Sequence, residues 1–300
     1  MKTMLKRKQK RAGYVCYGFL LLTTPAITAI TQDSYSITAT RHYAKQPTIL
    51  FADTVAKGSI ADSSNSVILE ASEKKAVKAP VVRLNTSGSK FVNDYVRKNA
   101  SYLSEIKEKR GSYFTTMETV FSAYNLPVQL KYLAVVESEL NLKAVSHVGA
   151  VGLWQLMPGT AKTLGLKVTK KYDERRLCYK STKAAAKYLN DLYNQFGDWL
   201  LVIAAYNSGP GPVYSAIKKS GSRNFWRLQQ FLPAETRMHV KRFIGTHYYF
   251  EGGGSITTLT KAEAKEYLNA LAKYTEQTNE ATEALTLKSD DKDLPVALVQ

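Results

Sequence analysis

LPVQLKYLAVVESEL, residues 126 to 140, carries apolar side chains at the spacing of an α-helix. Pro127 suits the first turn of a helix, because the backbone N–H that proline lacks would have no helical partner there. One stripe of the helix holds Leu130, Leu133 and Ala134. We therefore predict a helix from Leu126 to Leu142 that turns this stripe toward a core.

The two glutamates of this helix are not equivalent. Glu137 lies on the apolar stripe, whereas Glu139 is rotated by about 200° to the opposite face and is predicted to be an ordinary solvated carboxylate. An apolar surrounding disfavours the charged form of a carboxyl group, which favours a proton donor near neutral pH. Position therefore nominates Glu137 as a general acid. On helix position alone, a structural salt bridge with a buried Arg or Lys is the simpler explanation.

Apolar residues at helical spacing extend from Phe91 to about Glu251, interrupted by loops, and strand signals are nearly absent. The sequence therefore predicts a mainly α domain over residues 91–251. Its first two helices are marked by Phe91, Tyr95, Tyr102 and Ile106, and by Phe114, Met117, Val120, Phe121 and Tyr124. Later helices are predicted at Thr160 to Leu164, Thr182 to Phe196 and Asp198 to Tyr206.

The ends of the chain differ from this domain. Residues 1–30 join six cations to an apolar run from Ala12 to Ile30, which predicts an export signal, either cleaved after Ala29 or retained as a membrane anchor. Residues 31–90 are rich in Ser, Thr, Ala and Lys and are predicted to be a tether. Residues 252–300 begin with three glycines, taken as a domain boundary, and continue as a short helix opened by a Thr260 to Glu263 capping box and a polar tail.

Charge and cysteine content restrict the class of protein. The formal charge is +17, and removing the six cations of the leader leaves +11 on the exported part. In an exported chain this favours an anionic surface partner over nucleic acid, although ordinary solvated lysines explain it as well. Cys16 follows Val15, which does not fit a lipoprotein signal. Cys178 then stands alone and is predicted to be a small buried group.

A glycine-dense loop follows the glutamate helix, with the sequence KAVSHVGAVGLWQLMPGTAKTLGL from Lys143. Gly149 and Gly152 permit turns and the close approach of a ligand, while Trp154 offers an apolar face and Gln155 an amide, a pair that suits a sugar. A packed tryptophan and a solvated glutamine explain the same residues. Likewise, Asn207 in LVIAAYNSGPGPV is either a site residue or a helix cap.

Together these stretches resemble the soluble-lytic-transglycosylase catalytic domain, the goose-type-lysozyme-like fold, and most closely the membrane-bound lytic murein transglycosylase D branch. The resemblance covers about Phe91 to Glu251. It rests on ESEL at Glu137, Ser146 leading to GAVGLWQLMP, AAYNSGPGP at Ala204 to Pro212 and ETRMHV from Glu235, with DERR at Asp173 and FGDW at Phe196 between them. A lysozyme-like helical domain with a substrate groove is thus expected.

The resemblance implies roles by position. Glu137 would be the catalytic acid and base, and Ser146 would hydrogen-bond near its carboxylate. Gln155 and Met157 would line the saccharide groove, Tyr206 and Asn207 would lie across from Glu137, and Glu235 would close the cleft. A tyrosine is usual in this branch where His239 stands, so position 239 is assigned no firm role, although an imidazole can also form hydrogen bonds.

The family chemistry would cut the bond between N-acetylmuramic acid and N-acetylglucosamine in peptidoglycan glycan strands and leave 1,6-anhydro ends. It needs no cofactor, and the four histidines have no metal-ligand spacing. The implied location is the periplasm or cell envelope. Two alternatives remain open, which are a water-using muramidase with Asp173, Asp198 or Glu235 as second carboxylate, and a wall-binding protein without turnover. A nucleic-acid partner is not expected.

Overall fold

The computed structural model describes residues 78–290, so the predicted leader and most of the predicted tether lie outside the described residues. The predicted mainly α fold is confirmed in this part of the chain, where no β-strand forms beyond isolated bridges. Its α-helices are α1 (Thr86–Arg110), α2 (Tyr113–Ala123), α3 (Tyr132–Ser138), α4 (Pro158–Thr163), α5 (Cys178–Phe196), α6 (Trp199–Ser208), α7 (Pro210–Ser220), α8 (Phe225–Leu228), α9 (Ala234–Glu251) and α10 (Lys261–Asp290). Short 3₁₀ turns occur at Val128–Lys131, Glu174–Arg176, Gln229–Phe231 and Ile256–Thr258.

Helix α6 is the centre of the packing, because its sequence is apolar on every side. All residues from Trp199 to Ala205 are buried, and α5, α7 and α9 pack around them. Asp198 begins the helix, where its carboxylate accepts hydrogen bonds from the N–H groups of Leu200 and Leu201. The same carboxylate accepts a bond from the N–H of Lys261, which ties the start of α10 to α6.

Helices α1 and α9 lie side by side and approach closely at Gly245. A Cβ atom on Gly245 would lie 2.4 Å from the Tyr95 ring, so a larger residue would push the helices apart. The hydroxyls of Tyr95 and Thr246 form a hydrogen bond of 3.0 Å beside this contact. Helix α1 begins five residues before the predicted domain limit at Phe91, so the folded part starts earlier than the periodicity indicates.

The helix predicted from Leu126 to Leu142 is shorter in the structure. A 3₁₀ turn leads into α3, which ends at Ser138, and Glu139 and Leu140 then adopt left-handed backbone conformations with φ of 57° and 58°. The backbone therefore leaves the helix before Glu139.

Tertiary hydrogen bonds hold this ending of α3. The Arg110 guanidinium donates to the Glu139 carbonyl at 2.7 Å, and the Ser138 hydroxyl donates to the Leu153 carbonyl at 2.8 Å. The predicted position of Glu139 on the opposite helix face is therefore wrong, because the residue lies beyond the helix. Its side chain is half-buried rather than fully solvated.

The chain remains packed beyond the glycine run at 252–254, where the sequence suggests a boundary. Thr257, Thr258 and Leu259 are buried. The predicted capping box forms, since the N–H and hydroxyl of Thr260 donate to the Glu263 carboxylate at 2.8 and 2.7 Å. The helix that follows is not short, because α10 continues to Asp290. None of the described helices is both long enough and apolar enough to cross a membrane.

Candidate active site

A cavity of about 320 Å³ lies between the end of α3, the loop that follows it and the first turns of α9. Five of the seven residues that the sequence nominates line it, namely Glu137, Ser146, Gln155, Asn207 and Glu235. Met157 and Tyr206 are not among its lining residues. Glu139, His147, His239 and Arg242 contribute further charged or titratable groups. The structure thus gathers residues from four separate motifs around one space.

Glu137 and His239 form the buried pair of this cavity. The Nε2 atom of His239 lies 2.9 Å from Oε1 of Glu137, and the side chain of each residue is 6% exposed. The Glu137 carboxylate thus has a histidine as a partner. Sequence analysis left position 239 without a firm role. The sequence does contain a signal for this position, because His239 follows Glu235 by four residues and so lies on the same face of a helix as that nominated site residue.

The surroundings of His239 favour one tautomer. Its Nδ1 atom is buried and has no hydrogen-bond partner among residues 78–290. A hydrogen on Nδ1 would therefore be a buried donor without an acceptor, which is costly, so the hydrogen belongs on Nε2. In that form His239 donates to Oε1 of Glu137, and Oε2 is the oxygen left to carry an acidic proton.

Two amide side chains present complementary groups to the cavity. The Thr236 hydroxyl donates to Oδ1 of Asn207 at 2.8 Å, which leaves the Asn207 nitrogen to donate to a ligand. The Gln155 nitrogen donates to the Gly152 carbonyl at 3.0 Å, which leaves the Gln155 oxygen as an acceptor. Asn207 is therefore more than a helix cap, and the cavity offers one amide donor and one amide acceptor.

Ser146 closes a tight turn at the edge of the cavity. Its hydroxyl accepts a hydrogen bond from the Ala150 N–H at 2.9 Å, and its own N–H donates to the Ala150 carbonyl at the same distance. Gly149 in this turn has a φ of 87°. The serine hydroxyl is thus hydrogen-bonded within its own loop. Ser146 and Glu137 both line the cavity.

Arg175 fixes the glycine-dense loop through hydrogen bonds to its backbone. Its Nη1 donates to the carbonyls of Gly149 and Leu156, each at 2.9 Å, and the Asp173 carboxylate accepts two bonds from its guanidinium. These bonds from Arg175 keep the pKa of Asp173 below its usual value. A Cβ on Gly152 would lie 2.1 Å from the Arg175 carbonyl, so the close approach at Gly152 is to the protein itself and not to a ligand.

Trp154 is a core residue and not a platform for a sugar. It is fully buried, its indole N–H donates to the Thr182 hydroxyl at 3.0 Å, and its ring packs edge-on against Phe121. The Tyr206 hydroxyl donates to the Trp154 carbonyl at 2.7 Å. Burial, and then the nearby charge of Glu137, raise the pKa of Tyr206 well above its usual value, so Tyr206 remains a neutral donor behind the cavity.

Comparison with known proteins identifies the family. A family model described as the transglycosylase SLT domain matches residues 122–229. A putative tributyltin chloride resistance protein of Alteromonas sp. (strain M-1) is 35% identical over 145 residues, which make up 47% of this chain and 70% of that protein. The chain belongs to the transglycosylase SLT domain family. This SLT-domain protein is also 39% identical over 155 residues to membrane-bound lytic murein transglycosylase D of Escherichia coli (strain K12), which covers 50% of the chain and 34% of that relative.

The SLT-domain protein therefore spans about a third of the length of that murein transglycosylase. Among solved structures, the 70 kDa soluble lytic transglycosylase of Escherichia coli aligns with 59% of the chain and 31% of its own length, at 25% identity and a TM-score of 0.46. The match to the family model contains Glu137 and Asn207 and ends before α9. Glu235 and His239 thus enter the site from outside the matched range.

Proposed function

We propose that this SLT-domain protein is an exported peptidoglycan lytic transglycosylase in which Glu137 is the single catalytic acid and base. The observation that carries the proposal is the buried Glu137–His239 pair facing a cavity with amide donor and acceptor groups. Family membership and the relative named as a murein transglycosylase support the reaction class. The substrate would be peptidoglycan glycan strands, cut at the β-1,4 bond that follows N-acetylmuramic acid.

In the proposed reaction, Glu137 gives its proton to the glycosidic oxygen as the C1–O bond breaks. The substrate's own acetamido group assists the oxocarbenium-like species that forms at C1. The Glu137 carboxylate then takes the proton of the C6 hydroxyl as that oxygen bonds to C1, which gives a 1,6-anhydro end and restores the acid. His239 would hold Oε1 through both steps, so that Oε2 carries the proton.

The remaining site residues would bind the saccharide. The Asn207 nitrogen suits a carbonyl or hydroxyl oxygen of the substrate, and the Gln155 oxygen suits an N–H or hydroxyl group. Glu235 would contact sugar hydroxyls at the α9 side of the cavity. Ser146 would keep the loop edge in shape, and Tyr206 would support the loop from behind. Met157 would belong to a longer groove that extends beyond the cavity.

A water-using muramidase needs a second carboxylate beside the bond. Two of the three candidates are committed elsewhere, because Asp173 is bonded to Arg175 and Asp198 caps α6 and binds the N–H of Lys261. Glu235 lines the cavity and is the remaining candidate of the three. The transglycosylase reaction needs only Glu137 and is therefore preferred.

The location would be the cell envelope. The cationic leader and apolar run of residues 1–30 support export, with the run either cleaved or kept as a membrane anchor. The segment from residue 31 to the start of α1 would then act as a tether for the catalytic domain, and the partner would be the wall polymer rather than nucleic acid.

Mass spectrometry of the products released from purified peptidoglycan tests this function. The wild-type protein should release anhydro-terminated muropeptides, and the Glu137→Gln variant should release none. Reducing-end products that depend on Glu235 would identify a muramidase instead. If neither protein releases products but both bind the polymer, the chain is a wall-binding protein and the proposal fails.

A further inference from the structure

A second and larger cavity, of about 860 Å³, lies between the end of α7, α8 and the first half of α9. Four cations line it, namely Lys219, Arg227, Arg237 and Lys241, together with the aromatic rings of Trp226 and Phe231. No acidic residue is among its lining residues. We refer to it as the basic cavity.

The four cations have no acidic partner in the described part of the chain, where the ion pairs involve other residues. The sequence around the cavity is also poor in acidic residues, since Glu235 is the single acidic residue between Trp199 and Phe250. Burial, and then the positive charge of Arg237, lower the pKa of Lys241. Like charges held together without a counter-ion favour the binding of an anion.

Helix α9 carries residues of both cavities. Glu235 and His239 line the catalytic cavity, and Arg237, Met238 and Lys241 line the basic cavity. Arg237 and Lys241 follow Glu235 and His239 by two residues each, a rotation of about 200°, so these cations lie on the opposite side of α9 from the catalytic pair, at nearly the same level along the helix. A polymer bound in the catalytic cavity would therefore reach the basic cavity by passing around one helix, which is about 10 Å across.

We propose that the basic cavity binds the free carboxylates of the peptide branches that peptidoglycan glycan strands carry. This inference rests on the proposed function, because it takes the polymer in the catalytic cavity to be peptidoglycan. The glycan itself offers mainly hydroxyl and acetamido groups, whereas its peptide branches end in carboxylates. Arg227 and Arg237 have the forked donors that bind carboxylates bidentately. Trp226 and Phe231 supply apolar contact for the aliphatic part of a peptide.

The shape of the site favours a peptide over a lipid surface. A bilayer docks against a flat or convex face with projecting apolar side chains. The basic cavity is open to solvent but concave, and cationic and amide side chains line it beside its apolar groups. Binding to vesicles with anionic headgroups is the alternative to peptide binding that the test distinguishes.

The test measures binding in the non-cleaving Glu137→Gln background of the full chain. Two polymers are compared by co-sedimentation, intact purified peptidoglycan and the same material after a carbodiimide and ammonia have converted its carboxylates to neutral amides. The test variant adds Arg227→Gln and Arg237→Gln. The matched control adds Lys107→Gln and Lys187→Gln, which remove the same charge from exposed positions on α1 and α5. Thermal unfolding verifies that both variants are folded.

We expect the test variant to bind intact peptidoglycan roughly tenfold more weakly than the control at low salt, and both to bind the amidated peptidoglycan equally. Equal binding of both variants to intact polymer would overturn the inference. Equal weakening on both polymers would assign the cavity to the glycan instead. A loss confined to vesicles of phosphatidylglycerol and phosphatidylcholine would assign it to a membrane.

The cleavage assay separates this result from the catalytic proposal. With Glu137 restored, the Arg227→Gln and Arg237→Gln variant should still form anhydro ends on the amidated peptidoglycan if the catalytic proposal is correct. Failure of that reaction in the wild-type protein would overturn the proposed function. The binding comparison could still be interpreted, because it does not depend on cleavage.

Discussion

Nε2 of His239 lies 2.9 Å from Oε1 of Glu137, and both side chains are almost completely enclosed by the protein. The resemblance to the transglycosylase D branch implies a tyrosine at position 239, so the imidazole is a departure at the residue that touches the proposed catalytic acid. A tyrosine hydroxyl and an imidazole N–H can each donate a hydrogen bond to a carboxyl oxygen. The imidazole at position 239 therefore supplies the carboxyl group of Glu137 with a hydrogen bond that a tyrosine hydroxyl could also supply.

Substitution of His239 tests whether this donor positions Glu137. His239→Phe removes the hydrogen bond and should lower kcat by roughly tenfold to a hundredfold with little change in KM, because the carboxyl group loses its orientation. His239→Tyr restores a donor and should recover most of the activity. Steady-state release of anhydro-muropeptides measures both. Equal activity of the Phe and Tyr variants would show that the hydrogen bond has no role in turnover.

The two glutamates near the end of α3 provide a matched comparison. Glu137→Gln keeps the shape of the side chain and an oxygen for His239, but it removes the acid and the base, so turnover should fall by at least about 10³-fold. Glu139→Gln should change turnover less than about threefold, even though Glu139 also lines the cavity. Thermal unfolding of both variants controls for the fold. A comparable loss in both would contradict the assignment of Glu137 as the single catalytic carboxylate.

Periodicity predicts the helices well where burial alone determines them, and α6 illustrates this, because every side of it meets apolar neighbours. It fails where a distant group ends an element. The Arg110 guanidinium and the Leu153 carbonyl terminate α3 through hydrogen bonds that no local pattern encodes. The same limit explains Trp154, whose burial depends on Thr182 and Phe121, both remote in sequence.

In the candidate site, too, some features follow from the sequence and others depend on tertiary contacts. Motif positions bring five of the seven nominated residues to the cavity lining, whereas Met157 and Tyr206 are not among the lining residues. They do not predict which of their atoms remain available to a ligand. That depends on partners such as Thr236, which occupies the oxygen of Asn207.

Trp154 should matter for stability and not for saccharide affinity. Trp154→Ala removes a fully buried ring and should lower the free energy of unfolding by about 3 to 5 kcal/mol. Trp154→Phe keeps an aromatic ring but loses the hydrogen bond to Thr182, so it should cost about 1 to 2 kcal/mol and leave KM almost unchanged. Urea unfolding and steady-state kinetics measure these effects. A large rise in KM for the folded Phe variant would restore Trp154 as a sugar contact.

Arg175 should control the shape of the glycine-dense loop. Arg175→Lys keeps the charge but cannot reach Gly149, Leu156 and Asp173 at once, so it should lower the free energy of unfolding by about 2 kcal/mol or more. Turnover should fall as well, because the loop carries Gln155. The matched control is Arg176→Lys at the neighbouring, half-buried position, which makes the same substitution outside the Arg175 hydrogen bonds. Equal stability of the two variants would contradict a structural role for the Arg175 fork.

His247 should make stability depend on pH. Burial, together with a smaller effect of the Lys131 charge, lowers the pKa of His247 from 6.5 to about 4. Below pH 6.5 the His247 imidazole binds a proton in the unfolded chain but remains unprotonated in the folded protein. The free energy of unfolding therefore falls as the pH is lowered toward 4. At pH 4.5 this loss amounts to about 2.5 kcal/mol relative to pH 7.

Replacing His247 with glutamine isolates that contribution. His247→Gln retains a polar group for the Ser255 hydroxyl, which lies 2.9 Å from Nε2 in the wild-type protein, but it cannot titrate. Between pH 7 and pH 4.5 the variant should therefore lose about 2.5 kcal/mol less than the wild-type protein in urea unfolding, whatever its stability at pH 7. The exposed His147→Gln should follow the wild-type pH dependence. Parallel curves for the wild-type and His247→Gln proteins would mean that this histidine is not held neutral by the fold.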